Sequence, residues 1–341
     1  MSEARHPLPP PPLWVTLPPT ERPRLFVVVD TEEEFDWSAP FSRHHTSVAA
    51  MRHVGRAQRV FDRYGIKPTY VVDYCVAHQP AGYEPLLRIA AEDRCTIGAH
   101  LHPWVTPPFD EPVNGRNSFA SNLAPALEAA KVRNLVSEIE QHFGIRPKVY
   151  KAGRYGIGAE TVTTLGALGF EVDCSVNPTM DFSDVDGPSF VEFRPDPFWR
   201  RTEQRELLFL PCTVGFVGAL GSQAGPAMHR LASGPRLTRV RGVGVLARLG
   251  LTNKVMLSPE GNTANEMMAL ARRLARAGLR TFALTFHSPS LHPGHTPYVA
   301  TGADLETFLQ SIDRFCEFFC HELNGEPARP LDFRTQLMER Q

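Results

Sequence analysis

The sequence predicts an α/β fold, built from β-α units around a parallel sheet. From residue 24 onward, short β-branched runs alternate with longer amphipathic stretches. The chain has 341 residues, 42% of them hydrophobic, enough to bury a full core. The apolar runs also stop in polar, chemically capable residues, and in β/α barrels the reactive groups gather at those strand ends. No internal repeat or second domain boundary interrupts the pattern.

Residues 1–23 are read as a proline-rich, disordered arm, with eight prolines between His6 and Pro23, because proline locks φ and removes backbone donors. A barrel domain is expected over 24–335. Its strands are placed at 25–30 (LFVVVD), 69–73 (TYVVD), 95–102 (CTIGAHLH), 148–152 (KVYKA), 170–176 (FEVDCSV), 206–211 (ELLFLP) and 280–287 (RTFALTFH). Helices are expected at 48–64, 84–91, 124–143, 160–168, 263–277 and from 304 to about 323. Thr263 and Glu266 fit a capping box, and Gly278 stands where a glycine ends a helix. A long connection at 213–259 breaks the rhythm. It holds several glycines, the cations Arg230, Arg236, Arg239, Arg241, Arg248 and Lys254, and no acidic residue before Glu260. Such an insertion suits a solvated lid, an oligomer contact, or an anionic substrate or lipid headgroup.

Lys and Arg total 36 against 37 Asp and Glu, a net charge of −1, which argues against nucleic-acid binding. No apolar run reaches the roughly eighteen residues of a spanning helix. The six cysteines are scattered, without Cys-x-x-Cys, and read as reduced thiols. No basic segment followed by an apolar stretch marks the N-terminus, so a cytoplasmic location is expected. Oligomeric state is not legible.

The strand ends carry the chemistry. The first closes as Asp30-Thr31-Glu32, and side chains at i and i+2 share a face, which brings two carboxylates together. The third ends in His100-Leu101-His102-Pro103-Trp104. Two imidazoles on one face plus a carboxylate from another strand end supply the three protein ligands of a catalytic zinc site, with a position left for water. The fourth runs into a glycine-rich turn bearing Arg154, a residue type able to hold a carboxylate in place. The last delivers His287, well placed for proton transfer near neutral pH. Asp73 and Asp173, also near strand ends, are expected to make structural hydrogen bonds.

In that order, the motifs VDTEEEFDW, IGAHLHPW, KAGRYG and LTFHSPSL resemble those of the polysaccharide deacetylases, the NodB-homology carbohydrate esterases, and more narrowly a WalW-like branch. The resemblance spans about 24–333. It implies a distorted seven-stranded (β/α) barrel and metal-dependent hydrolysis of an N-acetyl, or an O-acetyl, group on a sugar or glycan precursor, phosphate-linked precursors included. It makes Asp30 the general base, His287 the general acid, Arg154 the residue orienting the base, and Glu32, His100 and His102 the ligands of zinc or a similar divalent ion. Trp104, Tyr155 and Tyr298 would contact sugar. Two departures stand out: Thr31 separates the two acids that are usually adjacent, and Trp104 occupies the place of the usual second histidine, leaving His102 as its replacement. Two other readings are a metallo-amidohydrolase or phosphoesterase, where a His-x-His pair usually lies on the first strand, and a carbohydrate-binding barrel without turnover.

Overall fold

The computed structural model describes residues 7–11, 13–218 and 253–340. Its strands are β1 (Arg24–Thr31), β2 (Thr69–Val72), β3 (Thr96–Leu101), β4 (Val149–Ala152), β5 (Val172–Asp173), β6 (Phe198–Arg201), β7 (Glu206–Phe209), β8 (Val214–Val217), β9 (Asn253–Met256), β10 (Thr281–His287) and β11 (Glu326–Pro327). The helices are α1 (Gly55–Arg63), α2 (Tyr74–His78), α3 (Pro80–Ala91), α4 (Pro125–Phe143), α5 (Ala159–Leu168), α6 (Ala264–Arg276), α7 (Gly302–Glu317) and α8 (Pro330–Met338). All seven expected strands form, although the run at 170–176 shrinks to the two residues of β5. The short strands β6, β8, β9 and β11, and helices α2 and α8, were not expected.

The main sheet runs β10-β1-β2-β3-β4-β5-β7-β6, with β11 also on β1. The path from β10 to β7 is parallel, and only β6 is antiparallel. It curls into a barrel whose open side is bridged irregularly. Ala283 N donates to Thr213 Oγ1 at 2.8 Å, and Thr285 N donates to Leu257 O at 3.1 Å. Among the described residues between these bridging points, Val214–Val217 and Asn253–Met256 form the antiparallel pair β8–β9. Much of the expected basic insertion, Arg230, Arg236, Arg239, Arg241 and Arg248 included, lies outside the described residues.

Alternation along each strand sorts the side chains into two cores. Leu25, Val27, Val29, Ile97, Leu101 and Phe286 pack against the helices. Phe26, Val28, Val71, Val149, Val172 and Leu208 fill the barrel, which α8 plugs from below with Phe333 and Leu337. The same alternation carries Asp30, two residues beyond Val28, to the top of that interior. Thr263 and Glu266 make the expected capping box, and Gly278, at φ +102°, turns the chain out of α6 as expected.

The arm departs from its reading. Among its described residues Leu8 and Leu17 are buried, Trp14 packs edge-on against Phe198 at 5.2 Å, and Val15 N donates to Pro197 O at 2.7 Å. Leu17 joins the plug formed by α8, so apolar residues between the prolines dock this segment. No helix among the described residues is long and apolar enough to cross a membrane.

Candidate active site

The strand ends meet at a cavity of about 350 Å³ lined by Asp30, Glu32, His100, His102, Arg154, His287 and several aromatics. Register places them. Asp30 pairs with His287 across β1 and β10, and His100 pairs with Lys151 across β3 and β4. Gly153, just past β4, lets the chain pass against His102, since a Cβ there would stand 2.4 Å from the imidazole Cδ2.

Glu32, His100 and His102 bring ligand atoms within 4.8 Å of one another, all from buried residues. His100 Nδ1 donates to Lys151 O at 2.9 Å. His102 Nδ1 donates to Glu33 Oε2 at 2.7 Å. With Nδ1 protonated, a neutral ring keeps its lone pair on Nε2. Burial opposes protonation of both imidazoles, holding His102 at about 4 and His100 well below the ordinary histidine value. Both Nε2 atoms face the same carboxylate oxygen, Glu32 Oε2, at 3.3 and 3.4 Å. Glu32 Oε1 is buried without a hydrogen-bond partner. Burial, with the Glu33 and Asp30 carboxylates beside it, pushes the Glu32 carboxyl well above its ordinary value, so the two lone pairs and this carboxylate need a proton or a cation between them, and the donors fit a divalent ion of zinc type.

Glu33 serves this set from behind, accepting from Trp104 Nε1 at 2.8 Å as well as from His102. Trp104 is almost wholly buried and stacks on His102 at 4.3 Å, so it braces that imidazole while also lining the cavity. Asp73 caps α2 through Val76 N and holds Glu33 N, and Asp173 binds Ser175. Each makes the hydrogen bonds expected of it.

Asp30 and His287 form the other half. Lys151 Nζ lies 2.7 Å from each Asp30 oxygen and donates to Thr285 Oγ1 at 2.8 Å. Burial works against the Asp30 charge, but Lys151, His100 and His287 outweigh it and hold the carboxyl below its ordinary value. His287 Nε2 stands 3.6 Å from Asp30 Oδ2, and its Nδ1 meets Glu260 Oε2 at 2.7 Å. Burial disfavours the imidazolium, yet Glu260, then Glu32 and Asp30, push His287 up to about 10. An ionised carboxylate and a protonated imidazole thus flank the ligand cluster. Trp37 packs edge-on to both His287 and Tyr298, at 5.3 and 5.8 Å.

No protein-family model matches the sequence, and no curated protein does. Solved structures do match. A Mycobacterium smegmatis protein described as a polysaccharide deacetylase aligns over 98% of this chain and 96% of its own, with TM-score 0.54 and 14% identity. A Pseudomonas aeruginosa PAO1 protein described in the same way covers 92% and 89%, with TM-score 0.52 and 15% identity. The chain has the NodB-type deacetylase fold. The allantoinase PuuE shares it, covering 92% and 89% with TM-score 0.50 and 14% identity.

Within this NodB-type barrel, Asp30, Glu32, His100, His102 and His287 converge as expected, with Tyr155 and Tyr298 on the cavity wall. Arg154 reaches the cavity but not Asp30. Its Nη1 donates to Ser118 Oγ and Gly115 O, and its guanidinium lies 4.0 Å from the Phe119 ring centre. Orienting Asp30 falls instead to Lys151, which the strand's alternation points inward. Lys151, Glu33 and Glu260 were missed. Lys151 carries the one readable signal, a charge inside a strand pattern on the same parity as the inward Val149; Glu33 and Glu260 stand in loops, where no periodicity reports direction.

Proposed function

We propose that the protein is a metal-dependent sugar deacetylase of the WalW-like kind, hydrolysing an N-acetyl, or an O-acetyl, group of a glycan or glycan precursor. The observation carrying this reading is the placement of an ionised Asp30 and a protonated His287, 3.6 Å apart, beside the Glu32, His100 and His102 donors. A divalent ion held by these three donors would supply Lewis-acid polarisation of the acyl carbonyl and acidify a water. Asp30, kept ionised by Lys151, is oriented to take the proton of the attacking water. His287, kept charged by Glu260, is the donor to the leaving nitrogen, which departs poorly unless protonated. The acidic and aromatic walls exclude bulk water around these steps and position the sugar ring against Tyr155 and Tyr298.

The fold neighbours named as polysaccharide deacetylases support the substrate class, and the His-x-His pair on β3 rather than β1 disfavours the phosphoesterase reading. Acetate release from acetylated sugars, nucleotide sugars and oligosaccharides, with and without added zinc, tests the proposal. Asp30→Asn and His287→Ala are each expected to lower turnover by roughly 10²–10⁴-fold, and His100→Ala to lose the ion. Near-wild-type release by both variants would overturn the mechanism. No release by the parent protein from any sugar would favour a binding barrel.

A further inference from the structure

Arg154 is left without a task once Lys151 holds Asp30. Its guanidinium is half-buried, lying 4.0 Å from the centre of Phe119 and 5.0 Å from that of Phe41. Its protein hydrogen bonds run from Nη1 alone, to Ser118 Oγ and Gly115 O. No carboxylate pairs with it among the described residues. Arginine stays charged in proteins, so this is a partly desolvated cation whose Nε–H and Nη2–H groups take no acceptor from the described residues and are left to solvent or a ligand. Aromatic faces offset part of that cost but supply no acceptor.

The backbone adds a second observation. Arg154 and Tyr155 lie at φ +53° and +60°, two consecutive non-glycine residues in the left-handed region, a costly arrangement that persists where surrounding structure imposes it and that clusters at ligand sites. This turn sets Arg154 on the cavity wall. Phe41, beneath the guanidinium, packs on Trp104 at 4.6 Å, and Trp104 stacks on His102. Arg154 therefore stands on the His102 side of the cavity.

We infer that Arg154 forms an anion subsite and that the sugar accepted by this cavity carries a carboxylate or phosphate group in addition to its acetyl group. This rests on the deacetylase reading for the acetyl group, but the subsite itself does not. Pairing with the planar guanidinium would give the cation charged acceptors that the protein does not supply, and would select against neutral sugars.

Binding of deacetylated amino sugars tests it, because they cannot be turned over and the result is independent of any deacetylase activity. Calorimetry with the zinc-loaded full chain would compare glucosamine, glucosamine 6-phosphate and muramic acid, in wild type, Arg154→Gln and Arg154→Lys. At least one anionic sugar is expected to bind wild type about tenfold or more tighter than glucosamine, as one charge-assisted contact warrants. Whether the phosphate or the carboxylate gains more identifies the anion. Arg154→Gln should bring all three sugars within about twofold of one another, with glucosamine affinity, zinc content and melting temperature held, and Arg154→Lys should keep part of the preference. No preference in wild type, or a preference that survives Arg154→Gln, overturns the inference. So does an equal loss for all three sugars with a lowered melting temperature, which would mark Arg154 as a staple for the loop around Ser118.

Discussion

At the scale of single residues, the site works by charges that outweigh burial. Lys151 and Asp30 are both buried, and breaking such a pair leaves an uncompensated charge. Lys151→Met is expected to cost about 3–5 kcal/mol of stability by chemical denaturation. The double variant with Asp30→Asn should recover a substantial part of that, because it removes both charges. Glu260 governs the other side. His287, raised from 6.5 to about 10, is protonated at neutral pH, so activity that needs its proton is present below that value and lost as pH climbs through it. The stability contributed by this pairing has the same sign, being full below about 6.5 and fading towards 10. Glu260→Gln removes the largest charge holding His287 up and should shift the alkaline limb of the pH–rate profile to lower pH, with metal content unchanged.

At the scale of elements, the strands are rulers. On β3, Ile97, Ala99 and Leu101 face the helices, leaving His100 and His102 to the barrel mouth, and on β10 the alternation that buries Phe282, Leu284 and Phe286 outward brings Thr285 and His287 inward. The close passage of β4's exit over β3 is equally exacting. A Cβ at position 153 would stand 2.4 Å from His102 and 2.6 Å from Leu101 O, distances no side-chain rotation at 153 can relieve. Gly153→Ala should therefore weaken zinc affinity by on the order of 10–100-fold, the range for a displaced or misoriented ligand, measured by competition with a chromogenic chelator. Retention of wild-type affinity would show that His102 is not a ligand.

At the scale of the whole molecule, a barrel closed irregularly on one side is plugged at its base by α8 and by the arm. Arg280 donates to Pro19 O through Nη2 at 2.7 Å, and Arg22 donates to Asn324 O at 3.0 Å, so the arm is strapped to both β10 and the approach to β11. Removing residues 1–18 would expose the surfaces covered by Leu8, Trp14 and Leu17, and should lower stability by about 3 kcal/mol or more, read from the urea midpoint.

Period-two alternation is a property of the chain itself, and it determined in advance that Asp30, His100, His102 and His287 would share one cavity, because each stands at the inward parity of a strand that ends there. Capping chemistry likewise marked where α6 begins and ends. Strand parity points Lys151 inward, but that Lys151 and not Arg154 reaches Asp30 was decided by the tertiary structure. Lys151 and Arg154 stand three residues apart at the same strand exit, and only the left-handed turn after Gly153 sends one of them to Phe119 rather than to Asp30. The same holds for Glu33 and Glu260, whose partners are 69 and 27 residues away, and for the arm, whose docking depends on apolar surfaces that exist only once the barrel has formed. Local pattern reports the direction of a side chain within a regular element; the meeting of side chains from loops and distant elements depends on register and packing, which no local window contains.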